Sequence, residues 1–350
     1  LNYISDEKSI TKIKPFKQDE VSEGRPCIKG LTLNEVSDKK RVLKPMIRVG
    51  NKLTEVTWKK ALLYIKNNIA KLSPDEIMVV GSGKITNEDN YVMQKFARLC
   101  LKTNNIDSCC TRLCHAGTVK AMKDCFGAPN LTKLSYLDEI DTLFVIGSNP
   151  LNNYPVMFNR ILDKKIKLIS IQYWDNETSV KAYFKLNIQP GTEIVLINGL
   201  INKIIKSSRY KKNYCYDGFR LLKEYTKNFT SDYVCEQCKI SKKEFGKLYD
   251  IITSSASIGV CHGMGLTQHV NSTEDVHTLL NLAILLNAKI LTMRGEVNVQ
   301  GVGDMGLVPD ALPSGAFVSM NLLSKVWKNK VSVAHGRTLM EGLILRPVKA

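Results

Sequence analysis

The sequence predicts an α/β protein built on a doubly wound, mostly parallel sheet spanning about residues 111–296. Three observations predict it. Thr142-Leu-Phe-Val-Ile146 is a continuous apolar run rather than an alternating one, the mark of a strand buried on both faces. Stretches with helical spacing separate such runs, and strands alternating with helices imply parallel pairing under a helical layer on each side. The runs stop at turns such as Gly147-Ser-Asn-Pro150 and Gly263-Met-Gly265, and in such sheets ligands sit at the carboxyl ends of the strands.

In chain order, residues 1–45 are polar and Lys-rich. Ile10, Ile13 and Phe16 suggest a short strand or hairpin, and Gly24-Arg-Pro26 a turn, with no compact core of their own. Residues 56–72 read as an amphipathic helix: Thr57 is the candidate N-cap, and Trp58, Ala61, Leu62, Ile65 and Ile69 fall at helical spacing. Ser73-Pro-Asp75 breaks it. A short buried strand over 77–80 ends at Gly81, and a helix over about 88–102 places Val92, Phe96 and Leu99 on one face. Another helix starts near Thr118. Strands follow over 142–146, 166–171, 183–188, 256–261 and 289–293, with helices over 155–163, 192–207, 217–228, 241–254 and 273–287. Residues 301–350 show little periodicity.

A chain of 350 residues is long enough for two or more domains. Apolar residues make up 44% and charged residues 24%, the balance of a globular protein able to bury a sizeable core. No run of about 18 apolar residues marks a membrane span. The first twenty residues are charged and lack an apolar signal-peptide core, so the expected compartment is the cytoplasm. The formal charge of +17 comes from scattered Lys, with short pairs such as Lys39-Lys40, Lys59-Lys60 and Lys211-Lys212. Solvated faces explain it first. A nucleic-acid partner is not expected, because the charge is neither concentrated nor interleaved with aromatics. An anionic ligand is compatible with it. The ten cysteines, at 27, 100, 109, 110, 114, 125, 215, 235, 238 and 261, are mostly small buried hydrophobes in this setting. Cys235-Glu-Gln-Cys238 lacks a second C-x-x-C or His pair nearby, and zinc or redox work there is a minor reading.

Three residues carry the chemistry. Cys114 is a soft metal ligand, although a buried apolar Cys is the usual fate of that residue. His115 beside it and a helix starting just beyond favour the thiolate, because a cation and a helix N-terminus both lower a thiol pKa. Arg294 at a strand end suits bidentate capture of a carboxylate or phosphate, against the ordinary alternative of a surface ion pair. The Gly-rich stretch 299–306 after it reads as a loop passing close to a ligand. There is no G-x-x-x-x-G-K-S/T loop and no G-x-G-x-x-G at the first strand–helix turn, so ordinary NAD binding is unsupported.

Several segments converge on a family. The strongest are Thr86-Asn-Glu-Asp-Asn-Tyr-Val-Met-Gln-Lys-Phe-Ala-Arg98, Cys114-His115, Arg294-Gly-Glu-Val-Asn-Val-Gln-Gly301 and Asp304-Met-Gly306. Weaker ones are Gly147-Ser-Asn-Pro150, Pro190-Gly-Thr192 and Gly263-Met-Gly-Leu-Thr-Gln268. In this order and spacing the chain resembles the catalytic (alpha) subunit of formate dehydrogenases, within the molybdopterin oxidoreductase superfamily, over nearly its whole length. The resemblance implies reversible oxidation of formate to carbon dioxide. The implied centre is molybdenum or tungsten bis(molybdopterin guanine dinucleotide). Electrons would pass to a 4Fe-4S iron–sulfur cluster and on to an electron-transfer subunit or ferredoxin-like acceptor.

The same resemblance assigns roles. Cys114 would ligate the metal, His115 would act as base or substrate positioner, and Arg294 would hold the formate carboxylate. Cys27 matches the last cluster ligand and Lys29 the lysine between cluster and pterin. The implied cofactor-binding set is Lys29, Lys84, Asn87, Asn149, Asn152, Gly191, Thr192, Glu193, Gly263, Met264, Gln268 and Glu296. The implied domains are 1–46, a β-rich remnant of the cluster domain; 47–110 with 297–350, part of a second α/β domain; and 111–296, the dinucleotide-binding-like domain.

The chain also departs from the family's pattern. The other three cluster cysteines and the family's second half are not among its residues, so a fragment or truncated form is expected. Gln172-Tyr-Trp174 stands where relatives hold one guanosine with Asp-Pro-Arg, Lys84 where many have Arg, and Glu296 where many have Gln. Two alternatives therefore stay open: a related oxidoreductase with another small substrate, such as nitrate or formyl-methanofuran, and a truncated, non-catalytic homologue.

Overall fold

A computed structural model describes residues 1–5, 10–37, 42–128, 130–210, 218–313, 320–331 and 335–345. Cys215, the pairs Lys39-Lys40 and Lys211-Lys212, and residue 217 at the expected start of one helix lie outside them. The centre is a five-stranded sheet in the order Lys289–Thr292, Ile258–His262, Thr142–Ile146, Lys167–Gln172, Phe184–Asn187. Every neighbouring pair is parallel. The chain enters at Thr142–Ile146, builds outward to Phe184–Asn187, and returns to start the second wing at Ile258–His262. The strand order therefore reverses between Thr142–Ile146 and Ile258–His262, which opens a crevice at their carboxyl ends.

Each face of the sheet has its own core. Phe144, Ile146, Ile169 and Val260 pack on one face against Met122 of helix Ala116–Phe126, Leu200 of Glu193–Lys206 and Leu279 of Ser272–Leu286. Leu143, Val145, Leu168 and Cys261 pack on the other against Phe158 and Ile161 of helix Pro155–Asp163. That two-sided burial is why the central strands read as unbroken apolar runs. Each fully buried Leu or Phe contributes about 1.5–3 kcal/mol relative to exposure.

A smaller parallel pair, Val79–Gly81 with Ile106–Ser108, lies apart from the large sheet. Ala97, Ile106, Val302 and Leu307 form its core, so the segment after 297 folds back onto the segment before 110. The N-terminal strands Asn2–Ser5 and Ile10–Lys14 pair as an antiparallel hairpin, as Ile10 and Ile13 suggested. Arg160 holds the chain just beyond it, donating to the carbonyls of Glu20 (2.6 Å) and Val21 (2.7 Å).

Four expectations need correction. Thr57 does cap helix Trp58–Ile69, accepting from Lys60 N at 3.3 Å, but of its apolar stripe only Ala61 is buried and Trp58 stays 68% exposed. No element among the described residues covers that stripe. Helix Asn87–Leu99 exposes Val92 and Phe96 and buries Asn90, Gln94, Ala97 and Arg98. Its polar face is the inner one because the Arg98 guanidinium donates to Asn104 Oδ1 (2.6 Å) and to the carbonyls of Val308 and Ala311 (both 3.0 Å). The Gly-rich stretch is a short helix, Val299–Asp304, rather than a loop. A Cβ on Gly301 would lie 2.0 Å from Asn87 Oδ1, so that glycine serves protein packing. Finally, among the described cysteines Cys100, Cys109 and Cys125 are exposed, so burial is not the general rule; Cys235 and Cys238 are buried in the large core as expected, on helix Ser231–Cys238. The hairpin Met46–Val49/Lys52–Glu55 was also not read from the sequence.

Candidate active site at the sheet switch point

Strand Ile106–Ser108 leads into a π-helical turn, Cys110–Cys114, and His115 then caps helix Ala116–Phe126. The fully buried Asp107 carboxylate anchors this turn. It accepts from Arg112 Nε (3.2 Å), Leu339 N (2.8 Å) and Ser108 N (2.8 Å). Arg112 Nη2 reaches on to Asp310 Oδ1 at 2.7 Å. From the other side, Thr267 Oγ1 donates to the Cys114 carbonyl at 2.6 Å. Thr267 belongs to the loop after Ile258–His262, so the cysteine turn is docked on the switch-point crevice.

The two loops that bound the crevice touch directly: Gly265 N donates to Gly147 O at 2.9 Å. A Cβ on Gly265 would lie 2.6 Å from that oxygen, and Gly147 has φ +58°. Both positions need glycine for this crossing.

His115 and Arg294 meet here. His115 is fully buried, with Nδ1 3.4 Å from Thr118 Oγ1 and Nε2 buried without a hydrogen-bond partner. Burial first, then the charges of Arg294 and His262, push its pKa down to about 3, so the imidazole is neutral near pH 7 and is not the cation expected to favour the Cys114 thiolate. His262 closes the neighbouring strand. Its neighbours Val260 and Cys261 face opposite cores, so strand alternation puts His262 on the face covered by helix Ala116–Phe126. Its Nδ1 lies 3.4 Å from the Gly263 carbonyl, which can only accept, and its Nε2 is also an unpartnered buried nitrogen. Burial and Arg294 lower it to about 4. Arg294 is 5% exposed. Its carbonyl accepts from the Tyr154 hydroxyl, whose pKa burial pushes up to about 12. The half-buried Asp304, its pKa raised by burial against the opposing pull of Gln300 and Arg294, accepts from Gln300 Nε2 at 2.7 Å.

The other expected residues fall into three groups. Lys84 Nζ pairs with Glu296 Oε1 at 3.4 Å, and Asn87 Oδ1 accepts from Asn298 Nδ2 at 3.0 Å, so the 84–87 loop lies against the 296–298 segment. The Lys84–Glu296 pair is exposed and adds little stability. Gln268 Nε2 lies 3.7 Å from Met264 Sδ, just beyond Gly263.

On the other wing, Gly191 (φ +81°) and Thr192, whose hydroxyl donates to Gln189 O at 2.6 Å, lead into Glu193. Glu193 is 2% exposed, its Oε1 has no hydrogen-bond partner, and burial raises its pKa. Asn149 is engaged internally: Nδ2 donates to Glu177 Oε2 (2.6 Å) and Oδ1 accepts from Thr178 Oγ1 (2.7 Å). Asn152 is exposed beside it. The Gln172 amide is likewise engaged, donating to Ser148 O at 2.6 Å.

Cys27 and Lys29 sit at the start of the short helix Ile28–Leu31, which packs on Leu33–Ser37 and Ile10–Lys14.

Sequence reasoning missed His262, Thr267, Asp107, Arg112 and Cys109. His262 was detectable as a titratable residue at a strand's carboxyl end. The others act through tertiary contacts or the π turn and left no local signal.

Comparison with known proteins follows the same lines. A family model described as molybdopterin oxidoreductase matches residues 41–332. The chain is 34% identical over 357 residues to the F420-dependent formate dehydrogenase subunit alpha of Methanocaldococcus jannaschii, an alignment covering 97% of this chain and 53% of that protein. It is 29% identical over 364 residues to formate dehydrogenase H of Escherichia coli, covering 96% and 51%. The chain thus spans about half the length of these curated relatives. Among solved structures, acetylene hydratase from Pelobacter acetylenicus has a TM-score of 0.63 at 24% identity, over 74% of this chain and 37% of that one. That likeness is one of fold.

Proposed function

The chain belongs to the molybdopterin oxidoreductase family, and from that premise we propose that it carries the substrate-reading residues of a formate dehydrogenase catalytic subunit. The reaction is the reversible oxidation of formate to carbon dioxide, a proton and two electrons. One observation carries this reading: a guanidinium and two neutral imidazoles, Arg294, His115 and His262, are buried together beside Cys114 at the switch point. A buried guanidinium offers a two-point, charge-assisted hold on a small anion.

The residues fit the family's cofactor, a molybdenum or tungsten centre with two molybdopterin guanine dinucleotides. Cys114 offers a soft thiolate on a turn anchored from two sides. The unpartnered Glu193 Oε1 suits the N–H edge of a guanine. Lys84, Asn87, Gly191, Thr192, Gly263, Met264, Gln268 and Glu296 lie on the surrounding loops and would hold the rest, and Asn149 and Asn152 stand at the first strand's end. When bound, the metal centre supplies the two-electron acceptor. Arg294 would then fix the two carboxylate oxygens through its planar fork, and the neutral His115 would position the substrate through Nε2.

Cys27 is a single thiolate where a 4Fe-4S cluster needs four ligands. No group of three or more His, Cys, Asp or Glu among the described residues is placed to hold a metal ion. The onward electron path, through a 4Fe-4S cluster to which Cys27 contributes one ligand and on to an electron-transfer subunit or ferredoxin-like acceptor, is part of the same proposal. The division into 1–46, 47–110 with 297–350, and 111–296 belongs to the same proposal, supported by the separate core around Ala97 and Val302. No helix among the described residues is long and apolar enough to cross a membrane.

The test combines molybdenum, tungsten and pterin analysis of the purified protein with dye reduction driven by formate or by the reverse reaction of carbon dioxide. Metal, pterin and formate-dependent dye reduction together support the proposal. A protein without metal or pterin favours the non-catalytic alternative. A loaded protein that ignores formate but turns over nitrate or formyl-methanofuran favours the other-substrate alternative.

A further inference from the structure

We propose that Cys109 and Cys114 form a reversible disulfide that withdraws the Cys114 sulfur from use as a ligand until it is reduced. Their Sγ atoms lie 3.8 Å apart, in van der Waals contact. The Cys114 thiol also lies 3.6 Å from the Cys109 carbonyl, so it is turned back over its own turn toward Cys109. The π-helical turn produces this. Its five-residue hydrogen-bond spacing stacks residue 114 on residue 109, whereas an α-helix would stack residue 113 there. Closing the pair to an S–S bond of about 2.05 Å is a displacement that side-chain rotation supplies.

Access is graded in the right order. Cys109 is exposed and Cys114 half-buried, so a small disulfide in solution reaches Cys109 first. Cys235, Cys238 and Cys261 are buried, and burial pushes their thiols up, which removes them from competition. The chemistry is two exchanges. The Cys109 thiolate attacks a low-molecular-weight disulfide, forms a mixed disulfide and expels one small thiol. The Cys114 thiolate then attacks the Cys109 sulfur and expels the second. The cysteine pair loses two protons and two electrons, and the small disulfide is reduced to two thiols. The disulfide stands on the geometry alone; its effect on metal loading rests on the reading of Cys114 as the ligand.

The experiment equilibrates the protein with mixtures of reduced and oxidised glutathione, quenches with acid, alkylates and digests with trypsin. Cleavage after Lys102 and Arg112 puts Cys109 on peptide 103–112 and Cys114 on peptide 113–120, so the disulfide appears as a cross-linked pair of peptides. The cross-link is expected to rise with oxidised glutathione in the wild type and in Cys110→Ser, to vanish on reduction, and to be absent from Cys109→Ser. No cross-link at any ratio, or one undiminished in Cys109→Ser, overturns the proposal. A cross-link that behaves as expected in a protein that does not oxidise formate strikes the formate reading and leaves the thiol pair standing.

Discussion

Thr267 Oγ1 donates to the carbonyl of Cys114 at 2.6 Å, tying the cysteine turn to the loop that follows the switch-point strand. The bond joins residues 153 apart in sequence. It ties the thiol's own backbone to the loop beyond strand Ile258–His262.

Replacing Thr267 with Val keeps the shape and removes the donor. A net loss of about 0.5–1.5 kcal/mol is expected, together with faster alkylation of Cys114 in the unliganded protein. Denaturant melts and alkylation rates followed by mass spectrometry check both. An unchanged alkylation rate means that the turn is held without Thr267.

Asp107→Ala should cost more. The carboxylate is fully buried and its loss strands Arg112 Nε and the backbone N–H groups of Leu339 and Ser108. Breaking such a buried pair typically costs about 3–5 kcal/mol. Arg112 keeps Asp310 and its side chain is 23% exposed, so Arg112→Ala should cost less. Paired urea melts rank the two, and equal or reversed losses contradict the anchoring role of Asp107.

His262 should make the fold acid-sensitive. Its pKa of about 4 lies below the ordinary 6.5, so between those values the unfolded chain binds the extra proton. This contribution to stability is fully present above pH 6.5 and is lost as pH falls toward 4, by up to about 3 kcal/mol. Melting temperatures of wild type and His262→Gln between pH 4 and 7.5 give the two slopes. The variant's should be shallower; equal slopes remove His262 as the cause.

Much of this was legible in the sequence. The central strands announced themselves because burial on both faces leaves no polar alternation, and the strand ends carried the Gly turns and Arg294. What stayed hidden depends on partners far away in sequence. Helix Asn87–Leu99 shows its apolar residues to solvent because Arg98 spends its donors on carbonyls after residue 305. Gly301 looked like part of a ligand loop and is packed under Asn87. Cys109 escaped notice because only a π turn stacks residues five apart.

Arg294→Lys in the loaded protein should raise the KM for formate about tenfold or more and change kcat less, because an ammonium cannot form the two-point fork. Steady-state kinetics over a wide formate range separate the two constants. Unchanged KM and kcat remove Arg294 from the substrate site.

In the proposed site, Cys114 holds the metal at which formate is oxidised. The most direct test is formate-dependent dye reduction by the loaded wild-type protein and by Cys114→Ala, with metal and pterin content measured on the same samples. The wild type is expected to oxidise formate, and the variant's turnover is expected to fall to background. Formate turnover in Cys114→Ala equal to that of the wild type would contradict that role of Cys114.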